Sequence, residues 1–111
     1  MIVTTQINGA ALVANVTAAE ANLMVADAFK ADLASLIDDG NKLIVVNFAA
    51  VIYVDSSFLG ALVSGLKYAM ANQAEIVVAG LNKDIFGLFQ LIRLDKAFKI
   101  FTTVDEAAKS R

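Results

Sequence analysis

The stretch Lys42-Leu43-Ile44-Val45-Val46-Asn47 sets four apolar residues, three of them β-branched, in an unbroken run between polar ends. A run without polar alternation marks a strand covered on both faces, as in a parallel sheet with helices packed on each side. The run is therefore expected to be the central strand. Beyond the connection Phe48 to Val54, Asp55-Ser56-Ser57 opens a helical pattern in which Leu59, Leu62, Val63, Leu66 and Met70 share one stripe. Glu75 to Ala79 (Ile76, Val77, Val78) reads as a second buried strand, 80–82 as its turn, and Lys83 to about Ile92 as a helix with Ile85, Leu88, Phe89 and Ile92 inward. Before the central run, Val25, Phe29, Leu33, Leu36 and Ile37 recur at helical spacing over Leu23 to Ile37, with Asn22 placed to cap the start and Gly40 to close the end. Two short β-prone runs, Ile2 to Ile7 and Leu12 to Thr17, are joined through Asn8-Gly9, a dipeptide suited to a tight hairpin. The tail holds a strand-like stretch, Lys99 to Phe101, and a helical turn or two after Thr103 from which Val104, Ala107 and Ala108 can pack back. Strands alternating with helices imply parallel pairing through right-handed crossovers. The expected fold is α/β: one domain over residues 1–111, with a mixed sheet of an N-terminal antiparallel hairpin plus parallel strands, packed with about four helices.

Composition narrows the chemistry. The chain has 111 residues, is 59% hydrophobic and 18% charged, and contains no Cys, His, Pro or Trp. Thiolate catalysis, disulfides, the usual zinc ligand sets and a Ser-His-Asp arrangement are excluded with them. A net charge of −2 with scattered Lys and Arg provides no footprint for nucleic acid. Mean hydropathy is high at +0.68. Yet the longest apolar run, Leu43 to Val54, contains Asn47 and ends at Asp55, short of the ~20 residues that span a bilayer. No membrane insertion is expected. With no basic stretch followed by an apolar run and a cleavage site at the N-terminus, the expected location is the cytoplasm. No Gly-rich phosphate loop is present, since Gly60 and Gly65 are interior to a predicted helix, and neither cofactor nor metal is expected.

The informative place is Asp55-Ser56-Ser57-Phe58-Leu59-Gly60, where a strand and its loop hand over to a helix. Helix starts present unpaired N–H groups and positive partial charge, so Asp55 or a serine can cap there and an added phosphate would be held. Asp-Ser-Ser before an apolar run is also what an ordinary N-cap looks like. A nucleophilic Ser56 or Ser57 lacks a His base, and Lys67 sits far along the helix on another side. No catalytic residue is assigned. On the other side of this helix, Phe58, Ala61, Gly65, Tyr68 and Asn72 fall together, with small residues between two aromatics. Such a face either packs inside the domain or forms a groove for a partner protein.

The stretch Tyr53-Val54-Asp55-Ser56-Ser57-Phe58-Leu59-Gly60-Ala61-Leu62 resembles the central signature of STAS domains, specifically bacterial anti-sigma factor antagonists. The likeness extends to the hairpin, to Glu20-Ala21-Asn22 where the family has Glu-x-Asp, and to Leu91 through Phe101 with a Val-Asp-Glu-Ala ending. The resemblance implies a partner-switching signalling protein without catalytic activity. In such antagonists the first serine after the Asp, here Ser56, is phosphorylated by an anti-sigma factor that is also a serine kinase, and a PP2C-type phosphatase reverses it. Unphosphorylated protein sequesters the kinase and so regulates transcription; related systems control secretion or biofilm matrix. Partner-binding positions implied by the resemblance are Asp55, Ser57, Glu20 and Asn22, to which Gly60 and the helix face with Phe58, Ala61 and Gly65 are added as candidate partner contacts. The alternative is a STAS scaffold that is not phosphorylated, serving a larger complex of the stressosome or lipid-transport ABC type. Three residues depart from the pattern. Phe58 replaces a Gly and would set a large aromatic beside the phosphoacceptor, Asn22 replaces an acidic residue, and Arg93 stands where many relatives have Gly or another small residue.

Overall fold

Along residues 2–110, which the computed structural model describes, the chain runs β1 (Val3–Asn8), β2 (Ala11–Val16), β3 (Glu20–Ala21), α1 (Leu23–Asp38), β4 (Leu43–Asn47) and β5 (Tyr53–Val54). It continues as α2 (Ser56–Ala71), β6 (Glu75–Ala79), α3 (Lys83–Leu91), α4 (Leu94–Ala97), β7 (Ile100–Phe101) and α5 (Val104–Ala108). The main sheet has the order β1-β2-β4-β6-β7, so β4 lies at its centre as its apolar run requires. β1 and β2 pair antiparallel, and every other pair in that sheet is parallel. Alternation along the strands divides the core in two. Leu12, Ala14, Ile44, Val46, Ile76 and Val78 face α1, α2 and α3, whereas Val13, Leu43, Val45, Val77 and Ala79 face α5 through Ala107 and Ala108.

Several expectations are corrected. Five helices form among the described residues, not about four, because Leu94–Ala97 closes a single turn too short to show a period. The hairpin loop is Gly9-Ala10, one residue later than the Asn8-Gly9 reading, since Asn8 pairs with Ala11. Of the two loop residues only Gly9 has positive φ, the pattern of a II′ loop. A second, two-stranded parallel sheet, β3 with β5, has no counterpart in the predicted elements because two residues carry no alternation. Met70, in the last turn of α2, and Ile92, just past the end of α3, both expected inward, are exposed. Arg93 enters α4 with φ 64°, a left-handed conformation that glycine adopts freely and that costs other residues about 1–2 kcal/mol. That is the physical reason a glycine suits this position.

α2 buries Phe58, Leu59, Ala61, Leu62, Gly65 and Ala69, an arc centred between the expected stripe and the face assigned to packing or a partner. The arc is wide because α2 contacts the sheet beneath it and α1 beside it. Phe58 stacks on Phe29 of α1 with centroids 4.3 Å apart, and meets the edge of Phe48 at 6.2 Å. One turn or two further on, a Cβ at Gly65 would lie 2.6 Å from Cδ1 of the buried Leu33, so the absence of a side chain is what lets the two helices approach. The first part of the candidate partner face is therefore filled from within, since Phe58, Ala61 and Gly65 are core residues, whereas Tyr68 and Asn72 at its far end are exposed. Phe58→Ala should cost about 3–5 kcal/mol by urea denaturation, the range for emptying a buried aromatic site.

Candidate functional site

The β5–α2 junction is held against the start of α1 by backbone bonds. In the small sheet Glu20 stands opposite Tyr53 and Ala21 opposite Val54. The amides of Ile52 and Tyr53 both donate to the Ala19 carbonyl, and that of Asp55 donates to the Ala21 carbonyl at 3.0 Å. This brings Asp55 between two helix starts. Its Oδ1 accepts from the Phe58 amide at 2.9 Å, the N-cap bond of α2, and its Oδ2 accepts from the Leu23 amide at 2.9 Å, the first residue of α1. One carboxylate thus satisfies donors on two helices, with charge-assisted bonds at both positive ends.

Because Asp55 does the capping, the serines need not. Ser56 is the first residue of α2, exposed, and its hydroxyl makes no hydrogen bond among the described residues. Ser57 is half-buried beside it. Gly60 follows on the outer surface of α2, where a Cβ would meet nothing within 4 Å. Glu20 is exposed on β3. Asn22 is half-buried and caps α1, its Oδ1 accepting from the Met24 amide at 2.9 Å, so this neutral residue keeps the capping role open to an aspartate. Asp55, Ser56, Ser57, Gly60, Glu20 and Asn22 therefore gather at one end of the α1–α2 layer, while Phe58, Ala61 and Gly65 lie beneath it. Phe58 turns into the core and does not crowd Ser56 from outside. Lys67 lies eleven residues along α2 from Ser56, about 16 Å by the helical rise, which separates the only ammonium of that helix from the hydroxyl.

Four residues of this region escaped the sequence reading. Leu23, Met24, Ile52 and Tyr53 are 68%, 87%, 72% and 56% exposed, and all belong to the segments that flank Asp55. Large apolar side chains left in water around a polar centre are the composition of a contact surface. Their signal in the sequence is positional: apolar residues at the start of a helix but off its buried stripe, and in a loop just before a cap. At the other end of the helix pair, the Tyr68 hydroxyl donates to the Asp38 carboxylate, and this bond and the adjacent negative charge hold the phenol above its usual range.

Residues 3–107 match the sequence profile of the STAS domain family. The chain belongs to that family. Solved structures agree in fold. An anti-sigma factor antagonist from Mycobacterium paratuberculosis superposes with a TM-score of 0.83 at 20% identity, over 95% of this chain and 88% of that one. An anti-sigma-factor antagonist (STAS) domain protein from Planctomyces limnophilus gives 0.85 at 14% identity, over 96% and 94%. The Bacillus cell fate determinant SpoIIAA in its phosphorylated form gives 0.70 at 18% identity, over 95% of each chain. The STAS fold here includes no helix, among the described residues, long and apolar enough to cross a membrane.

The two bonds of Asp55 make a stability prediction. Asp55→Ala removes the cap of α2 and the acceptor of the Leu23 amide together, and should cost about 2 kcal/mol in urea denaturation. Asp55→Asn, which keeps one carbonyl oxygen for the cap, should fall between.

Proposed function

We propose that this STAS domain is an anti-sigma factor antagonist that acts as a phosphorylation switch, with Ser56 as phosphoacceptor and no catalytic role of its own. The observation that carries the reading is the division of labour at the helix start: Asp55 caps α2, which leaves the Ser56 hydroxyl free and exposed. A kinase needs such a hydroxyl, presented on a rigid element. The partner is an anti-sigma factor that is also a serine kinase, and a PP2C-type phosphatase restores the hydroxyl. Leu23, Met24, Ile52 and Tyr53 provide apolar contact area around the switch residue, with Glu20, Asp55, Ser57 and Gly60 among them. Unphosphorylated protein binds the kinase and phosphorylated protein releases it.

The physical chemistry favours a switch at the interface over one in the fold. A phosphate on Ser56 adds about −1.5 to −2 charge at neutral pH. At the exposed start of α2 it gains about 0.3–1 kcal/mol from the helix dipole, offset by repulsion from the Asp55 carboxylate. The fold should tolerate it. A partner surface seated on Leu23, Met24, Ile52 and Tyr53 must instead accommodate both its bulk and its charge in a partly dry contact.

Incubation with the cognate kinase and ATP should place one phosphate on Ser56 by mass spectrometry, and none on Ser56→Ala. Ser56→Asp should melt like the wild type and bind the kinase at least about tenfold more weakly, a change of roughly 1.4 kcal/mol. Retained affinity, or a collapsed fold, would overturn the switch. Gly60→Ala separates stability from contact in the opposite way. With open space around its Cβ it should raise stability by about 0.5–1 kcal/mol through helix propensity, yet weaken kinase binding where the partner approaches the α2 backbone.

A further inference from the structure

The close contact of α1 and α2 leaves a cleft along their outer surface, with a volume of about 650 Å³. It exists because its floor is short-chained: Ala34 of α1 and Ser64, Gly65 and Ala71 of α2 do not fill the groove between the two helices. Sites for small molecules have volumes of about 300–1,000 Å³ and are found between packed helices. One end of the cleft is closed. The Tyr68 hydroxyl donates to the Asp38 carboxylate across the two helices, and this bond fixes the ring, 39% exposed, as an end wall. Facing residues of α1 and α2 keep an offset near thirty, so Lys30 lies toward the opposite end, level with the turn before Ser64.

Apart from Tyr68, the polar side chains that line the cleft are donors with no partner among the described residues. Lys30 and Lys67 are exposed and form neither an ion pair nor a hydrogen bond. Ser64 is half-buried within α2, and its hydroxyl also makes no hydrogen bond. Ser64 and Lys67 are three residues apart on one helix and are therefore surface neighbours. No Asp or Glu lines the cleft. Asp38 at the closed end is engaged by Tyr68, and Asp27, about one turn before Lys30, forms no ion pair with it. A chain of net charge −2 thus gathers two ammonium groups and a hydroxyl over an apolar floor.

We propose that the α1–α2 cleft binds a small amphipathic anion, an aliphatic chain of medium length that carries a carboxylate or phosphate head. The chain lies over Ala34, Gly65 and Ala71 against the Tyr68 ring, and the head is held by Lys30, Lys67 and the Ser64 hydroxyl. Each part of the ligand answers a part of the cleft. Ammonium groups only donate, so their complement is an acceptor, and two of them call for an anionic one. The floor offers no polar side chain except Ser64, so the remainder of the ligand must be apolar. From Ser64 to Ala71 the helical rise gives about 10 Å, which sets the length of the chain. Partial exclusion of water by that chain strengthens the attraction between the head and the two ammonium groups. The closed end selects a small molecule over a helix of another protein, since a helix laid along the cleft would have to cross the Tyr68–Asp38 bond.

Decanoate titrated into the isotope-labelled full chain should shift the amide NMR signals of Ala34, Ser64, Gly65 and Ala71 saturably, with a dissociation constant of roughly 0.1–1 mM. Decyl phosphate should shift the same amides, and the tighter of the two probes identifies the head. Decanol, which has the chain without the charge, should bind about tenfold more weakly or less. Acetate and inorganic phosphate, which have the charge without the chain, should leave these amides unmoved at equal concentration. Lys30→Gln combined with Lys67→Gln should melt like the wild type and lose about tenfold in affinity for both anionic probes. Ala34→Leu, which fills the cleft from its outer side, should remove binding. The wild-type shift map is independent of any variant's folding. Absence of a saturable shift with both anionic probes overturns the proposal, as do shifts confined to another face of the molecule. Equal affinity for decanol, equal shifts with acetate or inorganic phosphate, or unchanged affinity in the lysine double variant overturn it as well. Neither Ser56 nor a kinase enters these measurements, so their outcome is separate from that of the switch.

Discussion

α1 and α2 lie parallel and touch along their whole lengths, and most of what this protein presents to its surroundings depends on that contact. Four pairs mark it in order: Leu23 with Asp55, Phe29 with Phe58, Leu33 with Gly65, and Asp38 with Tyr68. The sequence offset stays near thirty residues throughout, which is what two parallel helices in contact require. The middle pairs are apolar and depend on a missing side chain at Gly65. The end pairs are polar and depend on carboxylates. Packing sets the distance between the helices, and the end pairs set their register along the axis.

The functional end inherits its geometry from this arrangement. With α1 and α2 level at their starts, a single carboxylate can serve both, and the two-residue sheet of β3 and β5 keeps the preceding loops together. Positive helix ends then converge on a surface that is rimmed by Leu23, Met24, Ile52 and Tyr53. A rigid base under an exposed hydroxyl suits a residue that is to be modified by another protein, since the modifying enzyme supplies the chemistry and the modified chain supplies only position.

Much of the fold was legible in the residues. The continuous run at Leu43 to Val46 located the central strand, and the caps at Asn22 and Asp55 located both long helices, because these signals are local and strong. The rotation of α2 was not legible. Its sequence supports an apolar stripe through Leu59 and Leu66 and a second one through Phe58 and Gly65, and periodicity cannot rank two stripes when a helix has two neighbours. The same ambiguity left Phe58 open between packing and a partner contact, and the structure makes it a core ring stacked on Phe29. Arg93 shows another limit, since a left-handed residue leaves no periodic trace unless glycine stands there.

By itself the sequence determined the α/β class, the order of the main elements, the absence of thiol and imidazole chemistry and the importance of Asp55-Ser56-Ser57. Each of these is a property of neighbouring residues or of composition. Only the tertiary structure decided which groups near Ser56 are occupied and by what: that Asp55 serves the Leu23 amide of α1 as well as the cap of α2, that Phe58, Ala61 and Gly65 are interior, and that four apolar residues from two distant segments share the surface. The reason is that hydrogen bonds and burial are settled between residues some thirty positions apart, where no local pattern reports which partner is chosen.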